Sequence, residues 1–551
     1  MILSFFKKLF LSFYRRELIL FAVSGIIFLS SSLLLTLAYI SENTTTVPVD
    51  GGKYIEGIIG QPVFVNPALA TSDTDRDLTE LLFNSLSDMA ESYKADKGGE
   101  IWRYRIKNGV YWHDGKSVTS DDIIFTIELI QNPDSRSPLF SNWNGVTVSR
   151  ISEREVEFKI SNPYVFFKSN IEDLKPIPKH IFALIPPANI RLSSYNLEPI
   201  GNGPFIFQYF NKRSDGYIKN YYLAKNENYP DKKPYIDKLN IAFYNKESDL
   251  INAFNSGLID GFGATDQKNA EKISFSNNIF PLHMLKYYAI FFNSYSHQAL
   301  KDKNVRLALL TATNKKGIIQ KIFSGQAYEV SSPIINAVNK TNNNFTEPEF
   351  SIDKASQILE STDWKIKDNN IREKIIDKES VALEFSLTVP EIPFLVETAH
   401  SIKTDWEKIG IKLNLLILPL SEINNNVIKN RNYQMILFGN ILGKSPDIFS
   451  FWHSSERFYP GLNLSLYESK TADSILETIR KDFDDEKRQS DILSLNSLIV
   501  SDLPAIFLYS PNYLYIAKKN LGGFDSTEIS FPSDRFKNVE NWYVKTARTF
   551  K

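Results

Sequence analysis

A chain of 551 residues with 43% apolar, 13% aromatic and 23% charged side chains has ample material for buried cores, and at roughly 150 residues per domain it should hold two to four domains. Sixty-three Lys and Arg against 64 Asp and Glu leave a formal charge of −1, which gives no overall electrostatic drive toward nucleic acid. The absence of cysteine excludes disulfides, iron–sulfur clusters, thiolate zinc, a catalytic thiol and a lipidated cysteine, and the six histidines include no i, i+4 pair that would set two imidazoles on one helix face.

Leu18 to Ile40 is a 23-residue run without a charge. At about 1.5 Å per residue it is long enough to cross a hydrocarbon core of roughly 30 Å. Lys7, Lys8, Arg15 and Arg16 precede it, and Glu42 and Asp50 follow. The positive-inside rule therefore predicts a cytoplasmic basic segment over 1–17, a single-pass anchor over 18–40, and an extracytoplasmic bulk in the cell membrane. Thr36-Leu37-Ala38 faintly resembles a small-x-small cleavage site, so a cleaved signal peptide is the rival reading, although the run exceeds the usual 7–15-residue signal core. Residues 41–52, with Asn43 to Val49 at their centre, read as a short polar tether.

Farther along, Ile101 to Ile106 alternates apolar with polar side chains, Asn108-Gly109 supplies a turn, and Val110 to Trp112 resumes an extended pattern, which predicts a hairpin. Thr119 with Asp122 three positions on predicts a helix to about Gln131, ending before Pro133, with Ile123, Ile124, Ile127 and Ile130 as its core face. Asp302 or Lys303 opens another helix carrying Val305, Ala308, Leu309 and Ala312 on one side, and Asn314 caps the next, which ends near Gly325. Lys354 to Leu359 and His400 to Ile409 read as helices, the second leading through Gly410 into a strand from Ile411 to Leu418. Ala505 to Tyr509, behind Pro504, reads as a short apolar strand. No 20–50-residue repeat is visible, and alternating strand-like and helix-like stretches suggest α/β or α+β lobes.

Motifs for chemistry are few. Gly439-Asn-Ile-Leu-Gly443-Lys444-Ser445 approaches a phosphate loop but has one residue too few between its glycines, and Pro446 disfavours the helix that should follow. Gly201-Asn202-Gly203-Pro204 and Gly261-Phe262-Gly263 fail the dinucleotide pattern and read as turns. No G-x-S-x-G or H-E-x-x-H occurs, and Asp121-Asp122 and Asp484-Asp485 read as first-turn or solvated helix charges. A hydrolase built from two carboxylates on distant segments stays open.

Taken in order, several segments resemble the bacterial extracellular solute-binding protein family 5, the dipeptide, oligopeptide and nickel-complex receptors of ABC importers. Phe64-Val-Asn66-Pro67-Ala68 and Leu81-Leu-Phe-Asn-Ser-Leu86 are similar to its N-terminal motifs, and Trp102 through Thr126 is very similar to its signature hairpin and helix. Gly201 to Phe205, Asn226 to Tyr229, Pro234 to Asp237, Phe254 to Asp260, Phe292-Asn293, Val305 to Leu309, Gly325, Gly410-Ile411, Pro446 to Ser454, Pro504 to Leu508 and Val539 to Trp542 continue the series. Asn66, Asn314 and Ser445 stand where many members carry Asp.

This resemblance implies an α/β, two-lobed, periplasmic-binding-protein-like fold with a hinge, preceded by one transmembrane helix. Lobe I would span 53–285 with an inserted subdomain at about 80–198, lobe II 286–503, and 504–551 would return to lobe I, with crossings near 283–291 and 503–511. It implies a monomeric receptor rather than an enzyme, with no cofactor and no metal, that binds peptides or similar small solutes and docks on an ABC permease. Carried over by position, the ligand-lining candidates are Ala70, Thr71, Ser72 and Asp73 on the first lobe, Phe140 and Trp143 near its subdomain, and Phe438, Gly439, Asn440, Ile441, Leu442 and Gly443 on the second, with Trp452 as a stacking face. In peptide-binding members an acid shortly before the proline holds the ligand's ammonium group, whereas residues 439–445 contain none. Asp73 either holds a cation or caps the helix after it. An exported hydrolase and a permease-independent sensory or scavenging receptor remain the alternatives.

Overall fold

The apolar run near the N-terminus forms one helix, Arg15–Asn43, of 29 residues with none buried, long and apolar enough to cross a membrane. Some of its hydroxyls bond back to the helix itself: Ser30 donates to the Ile26 carbonyl and Thr36 to that of Ser32, each at 2.8 Å. The computed structural model describes residues 14–551 apart from 97, 231, 265–271, 336–346 and 444. Immediately after the helix, within the stretch that reads as a tether, Thr44–Pro48 is a strand. It pairs antiparallel with Thr546–Phe550, Thr44 opposite Phe550 and Pro48 opposite Thr546. β-branched threonines on both partners suit the extended backbone.

Among the described residues the central sheet has 13 strands. Its main path runs Lys412–Leu418, Glu384–Pro390, Met435–Ile441, Lys286–Phe292, Ala505–Lys518, Gly261–Ala264, Lys53–Ile59, Lys238–Tyr244, Ile218–Lys225 and Phe205–Lys212. The 14-residue strand Ala505–Lys518 links the two lobes: its residues 505–509 pair with Lys286–Phe292, and its residues 512–518 with Asn277–Met284. The Ser510 hydroxyl donates to the Met284 carbonyl at 2.8 Å and ties the two crossing segments together. A separate four-stranded sheet, in the order Ala90–Ala95, Ile101–Ile106, Glu155–Lys159, Thr147–Ser152, packs with helix Ser120–Gln131 within residues 80–198.

Period-two alternation divides strand Lys286–Phe292 between two cores. Ile290 and Phe292 join Leu309, Leu387, Trp364 and Trp406 on one side, while Tyr287, Ala289 and Phe291 join Ile436, Trp452, Ile499 and Phe507 on the other. A third core unites Tyr54 and Trp542 with Trp102, Tyr104, Trp112 and Ile123 of the inserted sheet and helix.

Local signals largely survive folding. Thr119 and Asp122 make the expected capping box, and Asp302 and Asn314 cap helices Lys303–Thr311 and Lys315–Phe323. The hairpin expected at Ile101 to Trp112 does not form. Ile101–Ile106 pairs instead with Ala90–Ala95 and Glu155–Lys159, so both its edges are occupied, and residues 110–118 close on themselves through Trp112 N to Lys116 O at 2.7 Å. The helix expected from His400 begins earlier and spans Pro393–Glu407, because Pro393 takes the first helical position, where a missing N–H costs nothing. The strand expected over Ala505 to Tyr509 runs on to Lys518 through Ser510-Pro511-Asn512, a triplet that looks like a turn in isolation. Gly201-Asn202-Gly203 is a docking loop: the Asn202 and Gly203 amides donate to the Leu82 carbonyl at 3.1 and 2.9 Å, and a Cβ on Gly201 would lie 1.8 Å from that oxygen.

Candidate functional site

On the first lobe, residues 66–73 are held by their own polar groups. The Asn66 side chain accepts from the Ala68 amide at 3.0 Å and donates to Asn196 at 3.2 Å, and the Ser137 hydroxyl donates to the Ala68 carbonyl at 2.7 Å. Ala70 is half-buried and Thr71 exposed. Ser72, rather than Asp73, caps helix Asp73–Leu82: it accepts from the Asp75 amide at 3.1 Å and donates to the Asp75 carboxylate at 2.7 Å. Asp73 is exposed in the first turn and pairs with Arg76 at 3.1 Å.

On the second lobe, strand Met435–Ile441 sets Phe438, Gly439, Asn440 and Ile441 opposite Ala289, Tyr288, Tyr287 and Lys286. Leu442 prolongs the ladder by donating to the Leu285 carbonyl at 2.9 Å, and Gly443 follows with φ 67°. Asn440 is buried and donates to the Tyr287 hydroxyl at 2.9 Å. Gly439 is needed where it stands, since a Cβ there would meet the Tyr288 ring at 2.8 Å. The opposite edge of this strand is paired with Glu384–Pro390 only at Met435 and Ile436, which leaves the 437–441 edge without a strand partner among the described residues. Lys444 lies outside the described residues. The phosphate-loop-like pattern thus falls on a strand end, and the helix beyond it, Phe449–Trp452, has four residues.

The aromatic candidates are used elsewhere. Trp143 is buried against Phe158 and Phe167, with ring centroids at 6.0 and 5.7 Å, and Trp452 is fully buried against Phe507 at 5.8 Å and Tyr467 at 6.1 Å. Neither presents a free face. Phe140 is half-buried at the start of its four-residue helix. The structure therefore gathers 438–443 along one strand end, leaves 70–73 on a separate first-lobe segment, and sends the two tryptophans into cores.

Two polar clusters lie outside the lining candidates, one joining Tyr164 to Asp447 and Arg480 and one enclosed within the first lobe. Asp447 accepts from the Tyr164 hydroxyl at 2.7 Å and lies 3.2 Å from Arg480 Nε, and the Arg480 guanidinium covers Tyr164 and Phe449 at 4.7 and 4.3 Å. Burial, reinforced by Asp447, raises the Tyr164 phenol above its usual range. Arg535 is enclosed with two acids, 2.8 Å from Asp77 and 3.0 Å from Glu56, and Glu56 also accepts from Tyr515 at 2.9 Å. Burial lifts the Glu56 carboxyl to about 7 against the opposing pull of Arg535. A lone acid inside the apolar run Tyr54 to Ile59 is the one signal the sequence offers for this cluster. A cavity of about 560 Å³ opens beside helix Asp73–Leu82, lined among others by Arg76, Glu80, Lys175 and Gly443. No group of three or more potential metal ligands occurs among the described residues.

Comparison with known proteins agrees with this geometry. The family model for bacterial extracellular solute-binding proteins, family 5 Middle, matches residues 86–458. The oligopeptide-binding protein AppA of Bacillus subtilis is 28% identical over 519 residues, covering 90% of this chain and 92% of its own, and the dipeptide-binding protein of Escherichia coli is 21% identical over 502 residues, covering 84% and 90%. The structure of the Bacillus subtilis AppA in complex with a nonapeptide superposes with a TM-score of 0.70 at 26% identity, over 91% of this chain and 100% of that one. NikZ from Campylobacter jejuni, solved with Ni(L-His), shares the fold with a TM-score of 0.70 at 23% identity, over 89% and 99%. A two-lobed α/β chain joined by paired crossing strands, matched by the family model over more than half its length, belongs to the bacterial extracellular solute-binding proteins, family 5.

Proposed function

We propose that this chain is the membrane-anchored, extracytoplasmic receptor of an ABC importer, and that it binds peptides or similar small solutes between its lobes without turning them over. The observation that carries the reading is the edge at 437–441, which has no strand partner among the described residues, with the first-lobe Asp73 near enough for its charge to act on Lys286 opposite Ile441. An extended ligand backbone adds to such an edge through main-chain hydrogen bonds, while its side chains enter pockets on alternate sides. Full-length similarity to a protein named for oligopeptide binding supports the same ligand class.

Closure follows from differential binding: a ligand favours the closed form only insofar as it contacts both lobes better than one. The crossings near Leu285 and Ser510 are the hinge in this reading, lobe I being 53–285 with 504–551 and lobe II 286–503. The closed form then docks on the permease as a monomer, and Arg15–Asn43 holds the body at the outer face. Mass spectrometry of what co-purifies with the full chain tests the ligand class. Peptides recovered intact and in stoichiometric amount are expected, and a solute of another class, or cleavage products alone, would overturn the reading.

A further inference from the structure

Helix Arg15–Asn43 passes directly into the ribbon of Thr44–Pro48 and Thr546–Phe550. The Thr44 hydroxyl donates to the Ile40 carbonyl, and the Lys551 amide donates to the Asn43 carbonyl at 2.9 Å. The first rung of the ribbon, Thr44 opposite Phe550, is thereby bonded to the last turn of the helix. Ile40 closes the uncharged run, and Thr44 lies four residues beyond it. At about 1.5 Å per helical residue, the rung stands roughly 6 Å past the hydrocarbon edge. The headgroup layer on each side of a bilayer is about 5–7 Å thick, so this rung falls at headgroup level.

The side chains at that level suit it. Phe550 is 69% exposed, and Tyr39, near the end of the helix, is 62% exposed, so two aromatic rings flank the membrane boundary with little protein over them. Strand alternation puts Arg548 on the face of Phe550, about 7 Å farther along, and its guanidinium reaches back to donate to the Thr44 hydroxyl at 3.5 Å. Lys551 follows Phe550, and together these two cations outnumber Glu42 of the last helical turn. All of Thr546–Phe550 is exposed, so among the described residues nothing covers this face. An exposed ring with cations one and two positions away fits a bilayer interface, where the ring meets the acyl boundary and the cationic heads meet lipid phosphates. Lipid is favoured over a protein partner because the rung is continuous with the spanning helix and its cations complement anionic headgroups.

We infer that Phe550, Arg548 and Lys551 form a lipid-contact site on the outer leaflet, with the ring in the headgroup layer and the two cations on anionic lipid phosphates. The body is then held to the bilayer at a second point beside the helix. This rests on the reading of Arg15–Asn43 as a membrane span.

The chain has no cysteine, so a nitroxide can be attached at one chosen position. Full-length Phe550→Cys, Thr546→Cys and Thr45→Cys are each spin-labelled in vesicles of three parts phosphatidylcholine to one part phosphatidylglycerol, with a water-soluble nickel chelate on both sides. The label at 550 should collide with nickel at no more than about a third of the rate at 546, because headgroups shield it. With the label at 45, beside the first rung, adding Phe550→Asp should about double the rate, and Phe550→Leu should leave it unchanged. Arg548→Gln with Lys551→Gln should raise the rate at 45 in the mixed vesicles to that found in phosphatidylcholine alone. Equal rates at 550 and 546, or an unchanged rate at 45 in Phe550→Asp, in protein that resists carbonate washing would overturn the lipid contact, leave the span intact and assign the ring to a protein partner. A rate at 45 indifferent to the two cations or to phosphatidylglycerol would overturn their pairing with anionic lipid. Extraction of the protein by carbonate would overturn the span, and the contact with it.

Discussion

Tyr164 donates its hydroxyl to Asp447 across 283 positions of sequence, at 2.7 Å, and so fastens the segment inserted in the first lobe to the second. The backbone repeats the link, since the Val165 amide donates to the Arg480 carbonyl at 2.9 Å, and Phe166 is buried in the second-lobe core. A hydrogen bond to a charged group is worth about 1.5–3 kcal/mol. Under the proposed lobe closure, Tyr164→Phe should therefore shift the balance toward the open form by about tenfold to a hundredfold. Solution scattering should show a larger radius of gyration for the variant, and affinity should fall. Unchanged scattering and unchanged affinity together would show that the contact does not hold the lobes.

With Asp447 occupied and no acid at 439–443, the ligand's amino group has no dedicated carboxylate. N-acetylation of a bound peptide should change affinity by less than about tenfold, roughly 1.4 kcal/mol. A hundredfold loss, measured by calorimetry, would mean that an acid elsewhere has taken that role, Asp73 first.

Arg535 is buried with Asp77 and Glu56, so removing it strands two acids away from water. Arg535→Met should destabilise the fold by about 3–5 kcal/mol in denaturant unfolding, the usual cost of breaking a buried pair from one side. A loss below about 1 kcal/mol would contradict the account.

The same cluster makes a pH prediction. Because the folded Glu56 carboxyl titrates near 7 and an unfolded one near its ordinary 4.5, the folded state binds more protons between those values. Its contribution to stability is therefore full below about 4.5 and is lost as pH rises through about 7. Glu56→Gln keeps acceptors for Arg535 and Tyr515 but cannot titrate, so its melting temperature should fall less than that of wild type between pH 5 and 7.5. Parallel curves would sink this assignment.

Membrane attachment is checked by fractionation. Protein anchored by Arg15–Asn43 should stay with membranes after alkaline carbonate washing, whereas soluble mature chains beginning near Tyr39 would establish cleavage instead. The ribbon beyond the helix has its own test: Thr45 faces Thr549, and the chain contains no cysteine, so Thr45→Cys with Thr549→Cys should form one disulfide under mild oxidation.

Local physics explains which features the chain discloses by itself. A helix cap depends on atoms two or three residues away, so Thr119 with Asp122, Asp302 and Asn314 are legible in the sequence, as is the uncharged run that becomes Arg15–Asn43. Ordered motifs likewise disclose the family before any pairing of strands is known. The tertiary structure alone decided what depends on distant partners. The strand read over Ala505 to Tyr509 continues through Ser510-Pro511-Asn512 only because Asn277–Met284 and Ala327–Glu329 supply the ladders that keep it extended. The pairing of Asp447 with Tyr164 and Arg480 is invisible in the sequence, and Trp143 as a lining residue and Trp452 as a stacking face give way to the cores that close round them. The raised carboxyl of Glu56 likewise comes from enclosure with Asp77 and Arg535, and burial is a property of the packed chain rather than of any segment in it.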